Sequence, residues 1–142
     1  MEFQVPFGVR AHKYTEEEIA TIVALMHGEA PLTQSACLHE FEARFRRYAG
    51  VEHAFAVSSA TAALEITAQL CRFEAGDEVI IPAHTYTSSA YPFVKAGAAM
   101  VWADIDPDTR VVTAETIESC IPPRARVIVV PHLYGFGADM AQ

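Results

Sequence analysis

The 142-residue sequence predicts an α/β fold, a mostly parallel sheet covered by helices on both faces. Three observations point there. Short apolar runs rich in β-branched residues alternate with helical patterns four times along the chain. The runs (Ala54–Val57, Glu78–Pro82, Met100–Asp104 and 126–130) are too apolar to keep one face in water, which is the pattern of a sheet buried on both sides. Polar and aromatic residues follow each run, at Ser58–Thr61, His84–Tyr86, Asp104 and His132–Tyr134. Parallel sheets hold ligands beyond the carboxyl ends of their strands, so these residues converge on one edge.

Each element has its own local signal. Thr15–Glu16–Glu17–Glu18 reads as a capping box, with Ile19, Ile22, Val23 and Met26 at helical spacing behind it and Gly28 as the stop. Residues 29–36 hold a proline and several small or polar residues and read as a loop. Leu38, Phe41, Phe45 and Tyr48 fall on one face of a second helix that Gly50 closes. Glu40, Glu42, Arg44, Arg46 and Arg47 form its solvated face. Ala54–Val57 reads as a short buried strand, and a helix from Thr61 to about Arg72 ends before Gly76–Asp77.

Glu78–Pro82 is the second strand. Ala83–Ser89 leads from it into a helix through Tyr91, Phe93 and Val94 to Gly97, with Pro92 suited to the first turn. Met100–Asp104 is the third strand, followed by the polar turn Asp106–Pro107–Asp108. Thr113 caps a short helix to Ile121, ended by Pro122–Pro123, and 126–130 is the fourth strand.

The turn Ser58–Ser59–Ala60–Thr61 is the stretch with the clearest chemistry. A strand-to-helix turn of hydroxyls and small residues aims free backbone N–H groups and the positive helix end at one point. An anionic group fits there, and the hydroxyls add donors for a phosphate. The same residues also serve as an ordinary N-cap that satisfies its own amides, and the turn taken alone does not separate the two readings.

Composition bounds the rest. Hydrophobic residues make up 51% and charged residues 20%, yet no apolar run reaches the roughly 18 residues of a membrane helix. The first six residues lack the basic flank and apolar core of a signal peptide. Cys37, Cys71 and Cys120 are odd in number and far apart, which reads as reduced, mostly buried thiols in a cytoplasmic protein and as no metal centre. A net charge of −8 argues against nucleic acid and anionic lipid as partners, although local backbone dipoles still admit an anionic ligand.

Several ordered motifs resemble the N-terminal part of the DegT/DnrJ/EryC/StrS aminotransferases, and the resemblance covers nearly the whole chain. It runs from Val5–Pro6–Phe7 through Pro31–Leu32–Thr33–Gln34, Phe41–Glu42 and Val57–Ser58–Ser59–Ala60–Thr61–Ala62–Ala63–Leu64. It continues through Gly76–Pro82, Ala83–His84–Thr85–Tyr86, Asp104–Thr109, His132–Leu133–Tyr134–Gly135 and Ala138–Asp139–Met140. The resemblance implies a partial fold-type I large domain that binds pyridoxal 5'-phosphate. Residues 1–50 would form an N-terminal helical segment with a substrate-side loop, and 51–142 the first, incomplete part of the cofactor-binding domain. Ser59, Ala60 and Thr61 would hold the cofactor phosphate. Tyr86 would stack on the pyridine ring, with Thr85 supporting its loop. The implied reaction moves an amino group, from glutamate, to a nucleotide-linked keto-sugar, in a homodimer.

Departures from the family pattern bear on this expectation. Ala60 replaces the usual glycine, which is harmless only where its φ is negative. Ser35–Ala36 stands where Gly-Pro is common, and Phe136–Gly137 replaces a frequent Gln-Pro. No acid or nucleophile partner accompanies His84 or His132. The family's pyridinium-binding aspartate and cofactor-binding lysine are both expected beyond Gln142. Lys13 and Lys95 lie outside the lysine motif, so no catalytic residue and no activity are expected of this chain alone. Two alternatives remain: a non-catalytic remnant that binds or assembles with a partner, and part of a related dehydratase in which histidine replaces the lysine.

Overall fold

A computed structural model describes residues 14–31 and 33–142. Val5–Pro6–Phe7, Lys13 and Leu32 lie outside the described residues. The chain divides into two compact units, Met1–Ala56 and Val57–Gln142.

In the first unit, α1 (Glu16–His27) starts at the predicted capping box. The Glu18 amide donates to Thr15 Oγ1 at 3.2 Å, and the Thr15 amide donates to the Glu18 carboxylate at 2.7 Å. Two orphan donors at the helix start are satisfied reciprocally, and Glu16, Glu17 and Glu18 face the positive helix end. Helix α2 (Ala36–Ala49) ends at Gly50, whose φ of +67° is the left-handed cap expected of glycine. Phe41, Phe45 and Tyr48 run along α2 with successive ring centroids 6.1 and 6.4 Å apart. No residue of α1 or α2 is buried.

The expected strand at Ala54–Val57 is not formed, and Phe55 is 80% exposed. A strand exists only through its ladder partner, and an apolar four-residue run carries no signal for one. The Ala56 amide is bonded instead to a side chain, Glu42 Oε1, at 2.9 Å.

The second unit is built on three parallel strands in the order β2–β1–β3, where β1 is Glu78–Pro82, β2 is Ala99–Ala103 and β3 is Ala125–Ile128. Glu78 to Pro82 pair in register with Ala99 to Ala103. On the other side Glu78 pairs with Ala125, and a one-residue irregularity then sets Val79 against Val127. With strands on both sides, β1 is central, and Val79, Ile80 and Ile81 are each buried. Adjacent residues of a strand face opposite sides. Val79 packs with Ala68, Phe93 and Ala98, and Ile80 packs with Ala103 and Val112, so both faces of β1 are covered.

Helix α3 (Ala60–Leu70) and the short α4 (Tyr91–Lys95), with Pro92 in its first turn, pack against each other. Ala68 of α3 and Phe93 of α4 join the Val79 cluster. α5 (Ala114–Glu118) begins at Thr113, as expected, but stops short of Ile121. The residue before a proline is held out of helical φ/ψ, so Pro122–Pro123 shortens the last turn. The crossovers β1–α4–β2 and β2–α5–β3 are the βαβ units that parallel strands require.

The amino-terminal end of the sheet is closed by Asp77, which is buried. Its carboxylate accepts from the Glu74 amide at 2.9 Å and pairs with Arg126 at 2.9 Å and Arg124 at 3.5 Å. The Glu74 hydrogen bond, then the two guanidinium groups, hold its carboxyl below the usual carboxylate range against the opposing effect of desolvation. Gly76 holds φ +87°, a left-handed value that favours glycine, and a Cβ there would also displace the Arg124 guanidinium, 2.9 Å away.

All three cysteines are free. Cys37 is exposed and Cys71 and Cys120 are half-buried, which corrects the expectation of mostly buried thiols. Small size and apolarity permit burial of a thiol but do not enforce it.

Candidate functional site

The turn into α3 is an anion-suited helix start. Ser59 is the N-cap in extended conformation, and its Oγ accepts from the Ala62 amide at 3.1 Å. Its carbonyl accepts from Ala63 at 3.1 Å. The amides of Ala60 and Thr61, the first two helical residues, have no acceptor within the helix. The Ser59 hydroxyl accepts from the helix and keeps its own proton to donate. No acidic residue occupies the first turn, so nothing competes for the positive helix end. Ala60 is the first helical residue and is absent from the positive-φ residues, so its methyl imposes no backbone strain. Ser59 and Ala60 are exposed and Thr61 is half-buried. This donor set fits a phosphate.

Tyr86 leaves the end of β1 on a short connection. It is 72% exposed and starts the 3-10 turn Thr87–Ser89, which packs against α3 and α4. The backbone beneath it is fixed: the Ser89 amide donates to the Tyr86 carbonyl at 2.8 Å, and the Thr85 amide to the Ala83 carbonyl at 3.1 Å. Thr85 Oγ1 donates to Ser89 Oγ at 3.0 Å. The resulting platform presents a planar aromatic side chain to solvent.

Of the other strand-end residues, His84 and Tyr134 meet, with ring centroids 6.2 Å apart and planes tilted by 57°. The loops after β1 and β3 therefore share an edge. Tyr134 holds a left-handed φ of +54°, uncommon outside glycine, immediately before Gly135 at +86°. His132 Nδ1 accepts from the Ala138 amide at 3.0 Å, a loop-closing bond. Asp104 accepts from the adjacent Ile105 amide at 2.9 Å and makes no described contact with the other strand-end residues. Asp106 is a turn former: it accepts from the Thr109 amide and hydroxyl and the Asp108 amide, and these bonds, Thr109 first, lower its pKa.

Lys95 is engaged away from this edge. Its Nζ lies 3.2 Å from Glu65 Oε1 and 5.9 Å from the Tyr91 ring centroid, and the Glu65 bond raises its pKa. A protonated, paired lysine is a poor nucleophile. A cavity of about 370 Å³ opens between α5, β3 and the last residues, lined by Val112, Ile117, Ile128, Val130 and Met140 among others. None of Ser59, Ala60, Thr61 or Tyr86 lines it. Among the described residues no cluster of histidine, cysteine or acidic side chains could hold a metal, and no helix is long and apolar enough to cross a membrane.

Two features were not legible in the sequence. The Ser89 bonds link residues whose hydroxyls have no periodicity to betray them. The strained backbone of Tyr134 has a partial signal in the Tyr-Gly step, which reads as a turn without specifying the left-handed residue.

The profile of the DegT/DnrJ/EryC1/StrS aminotransferase family matches residues 12–142. The chain is 41% identical over 102 residues to the L-glutamine:2-deoxy-scyllo-inosose aminotransferase of Streptomyces kanamyceticus, covering 72% of this chain and 24% of that protein. Among solved structures, an aminotransferase from Psychrobacter cryohalolentis superposes with a TM-score of 0.82 at 29% identity, over 96% of this chain and 34% of that one. The PLP form of Spr1654 from Streptococcus pneumoniae gives 0.80 at 33% identity, over 89% and 32%. The chain thus spans about a quarter to a third of the relatives it matches. It belongs to the DegT/DnrJ/EryC1/StrS aminotransferase family.

Proposed function

We propose that this chain supplies the N-terminal part of a cytoplasmic, homodimeric aminotransferase dependent on pyridoxal 5'-phosphate, which moves an amino group from glutamate to a nucleotide-linked keto-sugar. The observation that carries the reading is the start of α3, where two free amides and the Ser59 and Thr61 hydroxyls surround a helix end without an acidic competitor. In this reading Ser59, Ala60 and Thr61 bind the cofactor phosphate, and Tyr86 lies against its ring. Residues 1–50 are the helical segment and substrate-side loop, and 51–142 begin the large domain.

Bound pyridoxal phosphate supplies the electron sink for the amino-bearing carbon. The residues of this chain bind and orient it. The amides, which the helix already fixes, stabilise the phosphate charge with little reorganisation, and the hydroxyls add donors. Tyr86 limits the tilt of the ring, a contact worth about 1 kcal/mol. In this reading the amine that binds the cofactor is not Lys95, which is held by Glu65.

A second reading has one observation in its favour. The Streptomyces relative is named for L-glutamine as donor and an inosose as acceptor, which points to a free keto-cyclitol. Amino transfer measured with the complete enzyme, against glutamate and glutamine as donors and against nucleotide-linked keto-sugars and a keto-cyclitol as acceptors, separates the two. Transfer from glutamate to the nucleotide-linked sugars supports the first, and a preference for glutamine and the cyclitol replaces it with the second. No transfer to any acceptor contradicts both and leaves a binding or assembly role.

A further inference from the structure

We infer that Ser89 is a positioning residue for the cofactor ring: its side chain latches the Tyr86 platform at a fixed distance from the phosphate turn. The inference rests on the assignment of Tyr86 and Ser59–Thr61 proposed above. Ser89 bonds on both sides of Tyr86, through its Oγ to Thr85 Oγ1 at 3.0 Å and through its amide to the Tyr86 carbonyl at 2.8 Å. Thr85 and Ser89 are half-buried while Tyr86 between them is 72% exposed, so the bonds act on the backbone below an otherwise unrestrained ring.

The 3-10 turn that carries Ser89 packs against α3, the helix that begins at Ser59 and Ala60. It also packs against α4, which the Lys95–Glu65 pair ties to α3. The backbone that carries the aromatic side chain and the helix that carries the free amides are therefore parts of one packed group. A ligand with a planar ring and a phosphate on a short linker must meet both at once. Fixing their separation before binding removes an ordering cost that a free loop would bear at the moment of binding.

The test is a double-mutant cycle in the complete enzyme, read by cofactor retention on dialysis and by the circular dichroism that bound pyridoxal phosphate acquires. Ser89→Ala should weaken retention roughly two- to fivefold, no more than loss of the ring contact it supports, and diminish the dichroic band. Ser89→Thr keeps the hydroxyl and should restore both. Thr85→Val removes the same bond from its other end and should reproduce Ser89→Ala, which guards against a fold defect peculiar to one variant. In a Tyr86→Leu background Ser89→Ala should cause no further loss, because the latch acts through that ring. Additive losses, or a silent Ser89→Ala beside a weakened Tyr86→Leu, overturn the latch and leave the platform standing. A silent Tyr86→Leu overturns the platform, and the latch with it.

Discussion

Ala60 illustrates how far one position can depart from a family pattern without harm. A glycine at a phosphate turn tolerates any φ, but here the residue is the first of α3 and helical, so alanine suits it. The neighbouring hydroxyl is open to test. Thr61→Ala leaves the helix amides in place and removes one donor, so cofactor absorbance after dialysis should fall roughly three- to tenfold faster. Unchanged retention would remove Thr61 from the site. Asp77 governs a different property, the response to acid. Its folded pKa lies below the unfolded carboxylate value of about 3.9. Its contribution is therefore present above that value and is lost as pH falls through the folded pKa. Asp77→Asn should flatten the acid limb of a stability-versus-pH curve, and an unaltered limb would show that the two arginines do not depend on its charge.

At the scale of elements, legibility followed how much of the signal was local. Glu78–Pro82 emerged with the expected bounds because a central strand needs only apolar β-branched residues, whatever lies beside it. The caps at Thr15, Gly50 and Thr113 were equally readable, since a capping bond closes within three or four residues. Ala54–Val57 failed for the opposite reason, as pairing is non-local and its sequence names no partner. The candidate site divides along the same line. Tyr86 follows β1, which its own apolar run locates, and Ser59–Thr61 open α3 at a locally readable cap, whereas the His84–Tyr134 contact joins loops fifty residues apart in sequence. The Val79 cluster offers a quantitative check on the packing. Phe93 is 2% exposed and meets Phe73 edge-on at 6.3 Å between centroids. Phe93→Ala should cost about 3–5 kcal/mol in urea unfolding, and a loss under about 1 kcal/mol, no more than a surface substitution causes, would contradict the described core.

The whole molecule exposes more apolar surface than a self-sufficient domain. Ile22, Met26 and Tyr48 in the first unit, and Trp102 and Ile128 on the outer strands of the second, are all exposed. Open sheet edges and apolar patches of this kind seek cover. The 142-residue chain expressed alone should therefore self-associate in size-exclusion chromatography with light scattering, and a compact monomer with a sharp thermal transition would favour an independent binding domain. It should also transfer no amino group, and borohydride reduction with pyridoxal phosphate should label no single lysine. A stoichiometric label on Lys95 would contradict the place given to it beside Glu65. The claim on which the rest depends, that the start of α3 holds the cofactor phosphate, is tested most directly by Ser59→Asp in the complete enzyme. Aspartate caps a helix as well as serine does, so thermal stability should stay within about 0.5 kcal/mol. Its carboxylate, however, sets a negative charge where the phosphate would lie, and the cofactor should be lost on dialysis. An intact variant that retains pyridoxal phosphate like the parent would place the phosphate elsewhere.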